Sequence, residues 1–372
     1  NEVTIKKIFN ETNLEYYEGE LLDKAFEINT NIKEIIEREQ TNLNNSPKSE
    51  SENHFVKNDV SVVDEEIKKF LLGLKSKGES AEEITSFVQV MLDHAQKLEI
   101  NREAVDTCGT GGDGLGTVNI STAAAIVVAS CGIPVVKHGN RAASSKSGSA
   151  DVLEALGISV NLTKDQVLSC FKQIGITFCF APTFHPSMKN VAVARKSLAT
   201  TTVFNFLGPL SNPSYPKAQV VGVSNLNMAP LIAQSLLNRD IKALVVRGLE
   251  GLDEISICGP TQIWDARSST VKEFIFDATS IGVKKVSIDD LLGADAQTNA
   301  KLIVDSFNPD SSNSLQDAIC INAAAAIIAY DNQNLNFDDA MNLGFARAKG
   351  SIASGATLNL LNKWRNFSSS LN

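Results

Sequence analysis

The residues best suited to chemistry lie in two polar segments, each directly after a short apolar run. The first is the glycine-rich stretch DTCGTGGDG, from Asp106 to Gly114, which follows Ala104 and Val105. An alanine-rich stretch from Asn119 to Cys131 comes next, so the order predicts a strand, a glycine loop and a helix start. Glycines let consecutive N–H groups approach a ligand, and a helix N-terminus adds the positive end of its dipole. This arrangement is typical of a phosphate or diphosphate site.

A glycine loop before a helix has a simpler explanation, because many such clusters are only turns. The pattern GxxxxGK followed by Ser or Thr, typical of nucleoside triphosphatases, is absent. A clean GxGxxG pattern, typical of dinucleotide-binding proteins, is absent as well. The loop therefore indicates a phosphate site or a plain turn, and it argues against those two classes of protein.

The second polar segment is KHGNRAASSKSGSADVLEALG, residues 137–157, which follows the apolar run Ile133–Val136. It concentrates cationic, amide and hydroxyl side chains around two glycines: Lys137, His138, Asn140, Arg141, Ser144, Ser145, Lys146, Ser147 and Ser149 beside Gly139 and Gly148. Such a density of cations and hydroxyls suits a polyanionic ligand, while a solvated basic loop is the alternative.

A third feature is the acidic pair Asp253-Glu254, which follows two glycines and a buried strand pattern. Carboxylate oxygens are ligands that Mg²⁺ prefers, particularly when it is shared with substrate phosphates. Most adjacent acidic pairs are solvated surface instead, and Asp64-Glu65 is an example in this chain. The position of Asp253-Glu254 after a strand favours a metal site over a solvated surface.

Strand and helix patterns alternate from Val105 onward. The strands are predicted at Val105–Thr107, Ile133–Val136, Ile176–Phe180, Gln219–Val223, Ala243–Arg247 and Glu254–Cys258, with an antiparallel excursion at Thr261–Asp265 and Val271–Phe276. Helices are predicted between them, as at Ser149–Leu156 and Thr163–Gln173, and the run Ala323–Ala326 indicates a buried helix. The alternation predicts an α/β domain with a mainly parallel central sheet, whose ligands bind beyond the carboxyl ends of the strands.

The residues before the first of these strands have a purely helical pattern. Ser80 and Glu83 have the spacing of a capping box, and apolar residues follow at helical intervals. We expect a small all-helical domain over residues 1–102, with a polar and flexible insert at about 40–63, and an α/β catalytic domain over residues 103–372. The apolar helix faces are either ordinary core or a dimer interface.

The composition narrows the class of function. A net charge of −9 over 372 residues argues against nucleic-acid binding and against binding to anionic membranes. No apolar run approaches the length of a membrane span, and the six cysteines are scattered without metal-ligand spacing. We expect reduced thiols and a cytoplasmic protein, or an organellar one if a targeting segment was removed before Asn1.

The motifs together closely resemble the anthranilate phosphoribosyltransferase family. The resemblance continues in FAPTFHPSMK (180–189), TVFNFLGPLSNP (202–213), VVRGLEGLDEIS (245–256) and GFARAKGSIASGAT (344–357), and so covers most of residues 65–372. It implies a nucleoside phosphorylase/phosphoribosyltransferase-like fold and a homodimer formed through the helical domain. It also implies an enzyme of tryptophan biosynthesis that joins phosphoribosyl diphosphate to the amine of anthranilate, giving N-(5-phosphoribosyl)anthranilate and diphosphate.

The same resemblance implies the site residues. Those expected to bind phosphoribosyl diphosphate are Gly109, Thr110, Gly112, Asp113, Thr117, Asn119, Ser121, Thr122, Lys137, Ser145 and Ser149. Those expected to bind anthranilate are Gly109, His138, Asn140, Pro182, His185, Arg195 and Gly208. Ser121, Asp253 and Glu254 are expected to hold Mg²⁺, as two ions of which one is shared with the diphosphate. No residue is expected to be a catalytic acid, base or nucleophile, because positioning and electrostatic stabilisation suffice.

Three segments of the chain depart from the family pattern. Thr201 stands where the family commonly has a second arginine, Arg247 where it often has histidine, and Ala142-Ala143 where it has Ser-Val. Two rival functions remain at this point. A pyrimidine nucleoside phosphorylase would share the fold, but the long basic segment and the acidic pair favour the transferase. A catalytically silent, nucleic-acid-binding relative would have a basic surface and would have lost the glycine loop or the acidic pair, and this chain has neither property.

Overall fold

The structure, a computed structural model, describes residues 50–100, 103–142, 145–198, 200–331 and 335–371, with side chains from residue 64 onward. The helical pattern expected before residue 50 lies outside the described residues. The chain divides into two compact units: Asn1–Ala95 with His185–Leu207, and Gln96–Phe184 with Gly208–Asn372. The first unit therefore takes in a segment that the sequence assigned to the α/β domain, and the boundary at residue 102 stays a prediction.

The elements are as follows in chain order. The helices are α1 (Glu50–Lys77), α2 (Ala81–Asp93), α3 (Ile120–Ser130), α4 (Ser149–Ala155), α5 (Lys164–Ile174), α6 (Ala181–Phe184), α7 (Ala192–Leu198), α8 (Phe204–Leu210), α9 (Ala229–Asn238), α10 (Ala296–Ser306), α11 (Ser314–Asp331), α12 (Phe337–Ala353) and α13 (Ala356–Ser369). The strands are β1 (Val105–Gly109), β2 (Val135–Gly139), β3 (Ile176–Phe180), β4 (Ala218–Gly222), β5 (Lys242–Gly248), β6 (Thr261–Asp265) and β7 (Lys272–Phe276). Short 3₁₀ helices lie at Pro186–Val191, Ala278–Ile281 and Ile288–Leu291.

The first unit is helical in its described part. Ser80 caps α2 as predicted: its side chain accepts the Glu83 N–H, and the Glu83 carboxylate accepts the Ser80 N–H. Helix α1 spans Glu50–Lys77 and so includes residues 50–63, which overlap the insert expected at about 40–63. The flexibility of that insert stays a prediction.

The second unit is built around one seven-stranded sheet with the order β3-β2-β1-β4-β5-β6-β7. The first five strands in this order are parallel, and β6 and β7 are antiparallel additions at one edge. The mainly parallel sheet and its antiparallel excursion are therefore confirmed. Parallel strands need crossover connections, which places helices over the sheet and buries it. The carboxyl ends of β1, β2, β4 and β5 consequently meet at one sheet edge.

The strand predicted at Glu254–Cys258 is wrong. The segment has no regular secondary structure, although Ile255 and Ile257 are buried with the alternation of a strand. The reason is that β5, the strand before it, already pairs with β4 on one side and β6 on the other. Neither edge of β5 is left for this segment, so its backbone bonds to side chains and loops instead.

Small side chains allow the helices over the sheet to pack closely. Helix α11 has a central run of four alanines, Ala323–Ala326, all fully buried, as predicted. A Cβ added at Gly344 of α12 would lie 3.1 Å from Ala324, which leaves no room for a larger residue. No helix in the described part of the chain is both long and apolar enough to span a membrane.

The end of β4 fixes the position of the segment after β5. A Cβ added at Gly222 would overlap the carbonyl group of Asp253. We predict that Gly222→Ala lowers the free energy of unfolding by about 1–3 kcal/mol, the usual cost of overpacking, because backbone must move to admit the methyl group. Chemical denaturation of the full chain measures the change.

Gly350→Ala is the matched control for this substitution. Gly350 lies in α12, is exposed, and has no atom within 4 Å of an added Cβ. Alanine should therefore stabilise the helix by about 0.5–1 kcal/mol. Equal stability of the Gly222→Ala variant and the wild type would contradict the close packing of β4 against Asp253.

Candidate functional site

The glycine loop after β1 is held from two sides. Gly111 donates its N–H to Asp253 Oδ2 at 2.7 Å, and its carbonyl accepts the hydroxyl of Ser224 at 2.8 Å. The Thr110 N–H donates to the Gly222 carbonyl at 2.9 Å, which ties the loop to the end of β4. Gly111 and Gly112 both have positive φ, a conformation that favours glycine. The loop is thus fixed by several hydrogen bonds, and the N–H of Gly111 donates to Asp253 of the acidic pair.

The start of helix α3 meets the other half of that pair. Ser121 donates its backbone N–H to Glu254 Oε1 at 2.9 Å, and its side chain also bonds to Glu254. Asn119 is the residue before the helix, and its amide donates to the Ser147 carbonyl at 3.0 Å. Thr122, the residue after Ser121, donates its hydroxyl to the Ser149 hydroxyl at 3.1 Å. The helix N-terminus, the acidic pair and the segment after β2 therefore meet at one place.

The acidic pair is short of positive charge. Burial is the main cause that raises the pKa of Asp253, and the neighbouring Asp113 carboxylate raises it further. Burial likewise raises the pKa of Glu254, with Asp253 as the second cause and Lys137 opposing both. Removal from water and mutual repulsion both disfavour the charged forms. A divalent cation would relieve both effects, so these carboxylates, with Ser121 beside Glu254, fit a Mg²⁺ site.

The described residues contain no group of three or more His, Cys, Asp or Glu side chains arranged to hold a metal ion. The protein therefore offers the acidic pair and a hydroxyl in place of a full set of ligands. Such an incomplete set is typical of Mg²⁺, which keeps waters and takes oxygens from substrate phosphates.

A buried polar network lies under the second polar segment. Asp106 accepts hydrogen bonds from the Asn212 amide at 2.8 Å and from the His138 N–H at 3.3 Å. Burial raises the pKa of Asp106 to about 6, opposed by the nearby charge of Lys137. Lys137 is itself 1% exposed, and its ammonium donates to the Thr107 carbonyl. Lys137, which is expected to bind diphosphate, is thus buried and bonded to the main chain, and its contact with diphosphate stays a prediction.

Other described residues of this segment are joined by hydrogen bonds and ion pairs. Asp151 accepts the backbone N–H groups of Gly148 and Ala142, at 2.8 and 3.0 Å. Arg141 pairs with Glu154 and Asp151, so this cation is already bound to carboxylates. Ser145 is exposed, and its hydroxyl is 3.4 Å from the Ser147 carbonyl.

Three further residues of the phosphoribosyl diphosphate set lie around the glycine loop. The Asp113 carboxylate accepts the Leu115 N–H at 3.2 Å, closing a tight turn. Thr117 forms an isolated bridge with Leu292. Gly109 is the last residue of β1 and lies next to the Asp253 carboxylate. A Cβ added at Gly109 would collide with that carboxylate.

The residues expected to bind anthranilate fall in both units. In the second unit, His138 Nδ1 bonds to the Gly208 carbonyl at 3.1 Å, so Nδ1 carries the proton because a carbonyl only accepts. The Asn140 side chain accepts the Arg141 N–H at 2.7 Å, and Pro182 is exposed in α6. Gly208 has open space around the position of a Cβ.

His185 and Arg195 belong to the first unit. His185 is buried and precedes the 3₁₀ helix at Pro186–Val191. The guanidinium of Arg195 lies 5.0 Å above the ring of Phe204, and burial lowers its pKa. A cation stacked on a ring is held in one orientation, which suits recognition of a planar carboxylate. The anthranilate set as a whole stays a prediction.

Sequence reasoning missed several supporting residues. Ser224 follows β4 directly, and its position beyond the carboxyl end of a strand would have indicated it. Asn322 is a lone amide beside four alanines in α11, a combination that calls for a bonding partner. Asp106 lies in β1 within the strand predicted at Val105–Thr107, but the buried network around its carboxylate was not indicated by the sequence.

Comparison with known proteins agrees with this geometry. Residues 101–358 match the model of the glycosyl transferase family, a/b domain. An anthranilate phosphoribosyltransferase of Arthrobacter sp. is 47% identical over 79% of this chain and 84% of its own length. That of Nocardia farcinica is 43% identical over 82% of this chain and 90% of its own length.

Two solved structures support the same relationship. Anthranilate phosphoribosyltransferase from Thermus thermophilus has a TM-score of 0.77 at 34% identity, covering 82% of this chain and 90% of that one. The enzyme from Saccharomyces cerevisiae, in complex with phosphoribosyl diphosphate and Mg, has a TM-score of 0.77 at 27% identity, covering 88% of this chain and 90% of that one. The chain belongs to the anthranilate phosphoribosyltransferase family.

Proposed function

We propose that this protein is an anthranilate phosphoribosyltransferase of tryptophan biosynthesis. It joins the amine of anthranilate to C1 of phosphoribosyl diphosphate and releases diphosphate. One observation carries this proposal: Asp253 and Glu254 accept N–H groups from the glycine loop and from the start of α3, respectively. The two elements suited to phosphate and the two carboxylates suited to Mg²⁺ are thereby brought to one site.

The reaction needs a stabilised leaving group more than it needs acid or base catalysis. Negative charge develops on the diphosphate as its bond to ribose C1 breaks. The glycine loop, the α3 N-terminus and the basic segment place N–H groups, hydroxyls and a buried Lys137 around that charge. Mg²⁺ bound by Asp253 and Glu254 would add charge stabilisation to the diphosphate. We propose two ions, one of which is shared with the diphosphate.

The acceptor amine needs orientation rather than activation. An aromatic amine is neutral at physiological pH, so its lone pair can attack C1 without a general base. In the neutral form of His138, protonation of Nδ1 makes Nε2 an acceptor, which suits a contact with the amine. Asn140 and Arg195 supply an amide and a guanidinium for the carboxylate. Holding the amine in line with C1 is the main contribution of these residues.

Loss of the acidic pair tests the proposal directly. We expect Asp253→Ala/Glu254→Ala to lower the rate at least about a thousandfold, because transition-state charge loses its counter-charge. The measurement is the loss of anthranilate fluorescence in the presence of phosphoribosyl diphosphate and Mg²⁺.

The matched control is Asp64→Ala/Glu65→Ala, which removes the same dipeptide from α1. Glu65 is exposed there and pairs only with the neighbouring Lys68 among the described ion pairs. This variant should retain the wild-type rate. A wild-type protein that consumes no anthranilate while binding phosphoribosyl diphosphate would indicate a different acceptor and overturn the assignment.

A second prediction concerns Arg195. A charged hydrogen bond to a carboxylate contributes about 1.5–3 kcal/mol, so Arg195→Ala should raise the KM for anthranilate by about 10- to 150-fold. The KM for phosphoribosyl diphosphate should stay near the wild-type value. Lys196→Ala, on the exposed side of the same helix, is the control. An equal rise in both KM values would argue against a specific contact with anthranilate.

We also propose a homodimer formed through the helical domain of a cytoplasmic enzyme. Leu72 and Val193 of the first unit are 47% and 63% exposed, so they are apolar side chains that a contact between two copies of the chain could cover. Leu72→Asp/Val193→Asp should therefore halve the mass found by sedimentation equilibrium. Leu343→Asp in the second unit, where Leu343 is 58% exposed, should leave the mass unchanged. If the wild-type protein sediments as a monomer, the proposal of a homodimer is wrong.

A further inference from the structure

The segment that carries the acidic pair lacks a strand partner. Both edges of β5 are occupied, and the chain from Gly251 to Cys258 runs without regular structure. Its backbone groups are buried, because Ile255 and Ile257 are 0% and 2% exposed. Buried N–H and C=O groups need partners, so something outside the sheet must hold this segment in place.

Asn322 of helix α11 supplies those partners. Its Oδ1 accepts the Ile255 N–H at 2.8 Å, and its Nδ2 donates to the Ile255 carbonyl at 3.0 Å. A second Nδ2 hydrogen bond reaches the Ala318 carbonyl at 2.9 Å, one helical turn earlier. The side-chain amide therefore bonds to the N–H and C=O of a single residue, as a neighbouring strand would.

The residue held in this way follows Glu254 directly. Consecutive Cα atoms are fixed about 3.8 Å apart, so holding Ile255 at its N–H and its carbonyl also restrains Glu254. Glu254 is anchored at its other end through its carboxylate, which accepts the Ser121 N–H. Asn322 is 2% exposed, and its described hydrogen bonds go to main-chain groups, so it acts through Glu254 rather than on a substrate.

We propose that Asn322 is a positioning residue that sets the affinity of the acidic pair for Mg²⁺, an inference that rests on the proposed function. Residues that orient metal ligands typically change metal affinity or activity by about 10- to 100-fold when removed. Asn322→Ala should therefore raise the Mg²⁺ concentration needed for half-maximal binding of phosphoribosyl diphosphate by about that factor. Binding is measured by calorimetric titration of phosphoribosyl diphosphate into the full chain at a series of Mg²⁺ concentrations.

The control separates positioning from general stability. Gln316 is a second buried amide on the same helix, 3% exposed, and it donates to the Ser306 and Ser311 carbonyls away from the acidic pair. Gln316→Ala should lower the melting temperature, as Asn322→Ala does, but leave the Mg²⁺ dependence unchanged. The KM for anthranilate at saturating Mg²⁺ should stay near the wild-type value in both variants.

The outcomes are distinguishable. A shift in Mg²⁺ dependence for Asn322→Ala alone supports the positioning role. Equal Mg²⁺ dependence in all three proteins, or an equal shift in both variants, overturns it and leaves Asn322 a purely structural residue. If Asn322→Ala does not fold, Asn322→Asp, which retains the acceptor oxygen for the Ile255 N–H, is measured by the same criteria. Wild-type protein that shows no Mg²⁺-dependent binding would instead count against the proposed function.

Discussion

The structure depends on two carboxylates that each accept a backbone N–H from a different element. Asp253 bonds to Gly111 beyond β1, and Glu254 bonds to Ser121 in the first turn of α3. Burial makes both charges costly, as their raised pKa values indicate. The cost is offset when the same carboxylates meet a cation and face the positive end of a helix. In the proposed Mg²⁺ site, the same atoms would meet the catalytic demand for a metal beside a phosphate and the structural demand for a satisfied backbone.

This arrangement also explains where the chain requires glycine. The backbone at Asp253 crosses the ends of β4 and β1, where a Cβ at Gly222 would overlap its carbonyl and one at Gly109 would collide with its side chain. Neither glycine is needed for positive φ, which is a property of Gly111 and Gly112 instead. Two physical reasons, close approach and left-handed backbone, thus account for glycines that look alike in the sequence. We expect a substitution at Gly109 or Gly222 to displace the acidic pair. A substitution at Gly111 or Gly112 would instead distort the glycine loop, which bonds to Asp253.

Local pattern was enough to predict the sheet, because strands buried on both faces are short apolar runs and their ends are marked by glycine. It failed at Glu254–Cys258, where the alternating burial of Ile255 and Ile257 is real but neither edge of the preceding strand β5 is available. Strand pairing is a property of the assembled sheet and is not visible in one segment. The polar segments beyond the strand ends were located for the same local reason, whereas the roles of their residues come from the family resemblance and stay predictions. Asn322 is 67 residues from its partner Ile255. A contact at that separation leaves no periodic pattern, so only the oddity of an amide among alanines indicates it.

The departure at Arg247 shows how the site tolerates change. Arg247 stands at the end of β5, where its Nε donates to the Ser224 carbonyl at 2.9 Å and its Nη1 to the Gly248 carbonyl at 3.3 Å. Ser224 in turn donates its N–H to Thr110 and its hydroxyl to Gly111. The guanidinium thus joins the ends of β4 and β5. Through Ser224 it also supports the glycine loop. A charged group makes these hydrogen bonds here, although a neutral donor could make them as well. Because these hydrogen bonds go to main-chain carbonyls, a different donor of similar reach could replace Arg247 without changing the atoms that face the acidic pair. We therefore expect a substitution there to cost less than one at Gly222, where an added Cβ would overlap the backbone of Asp253.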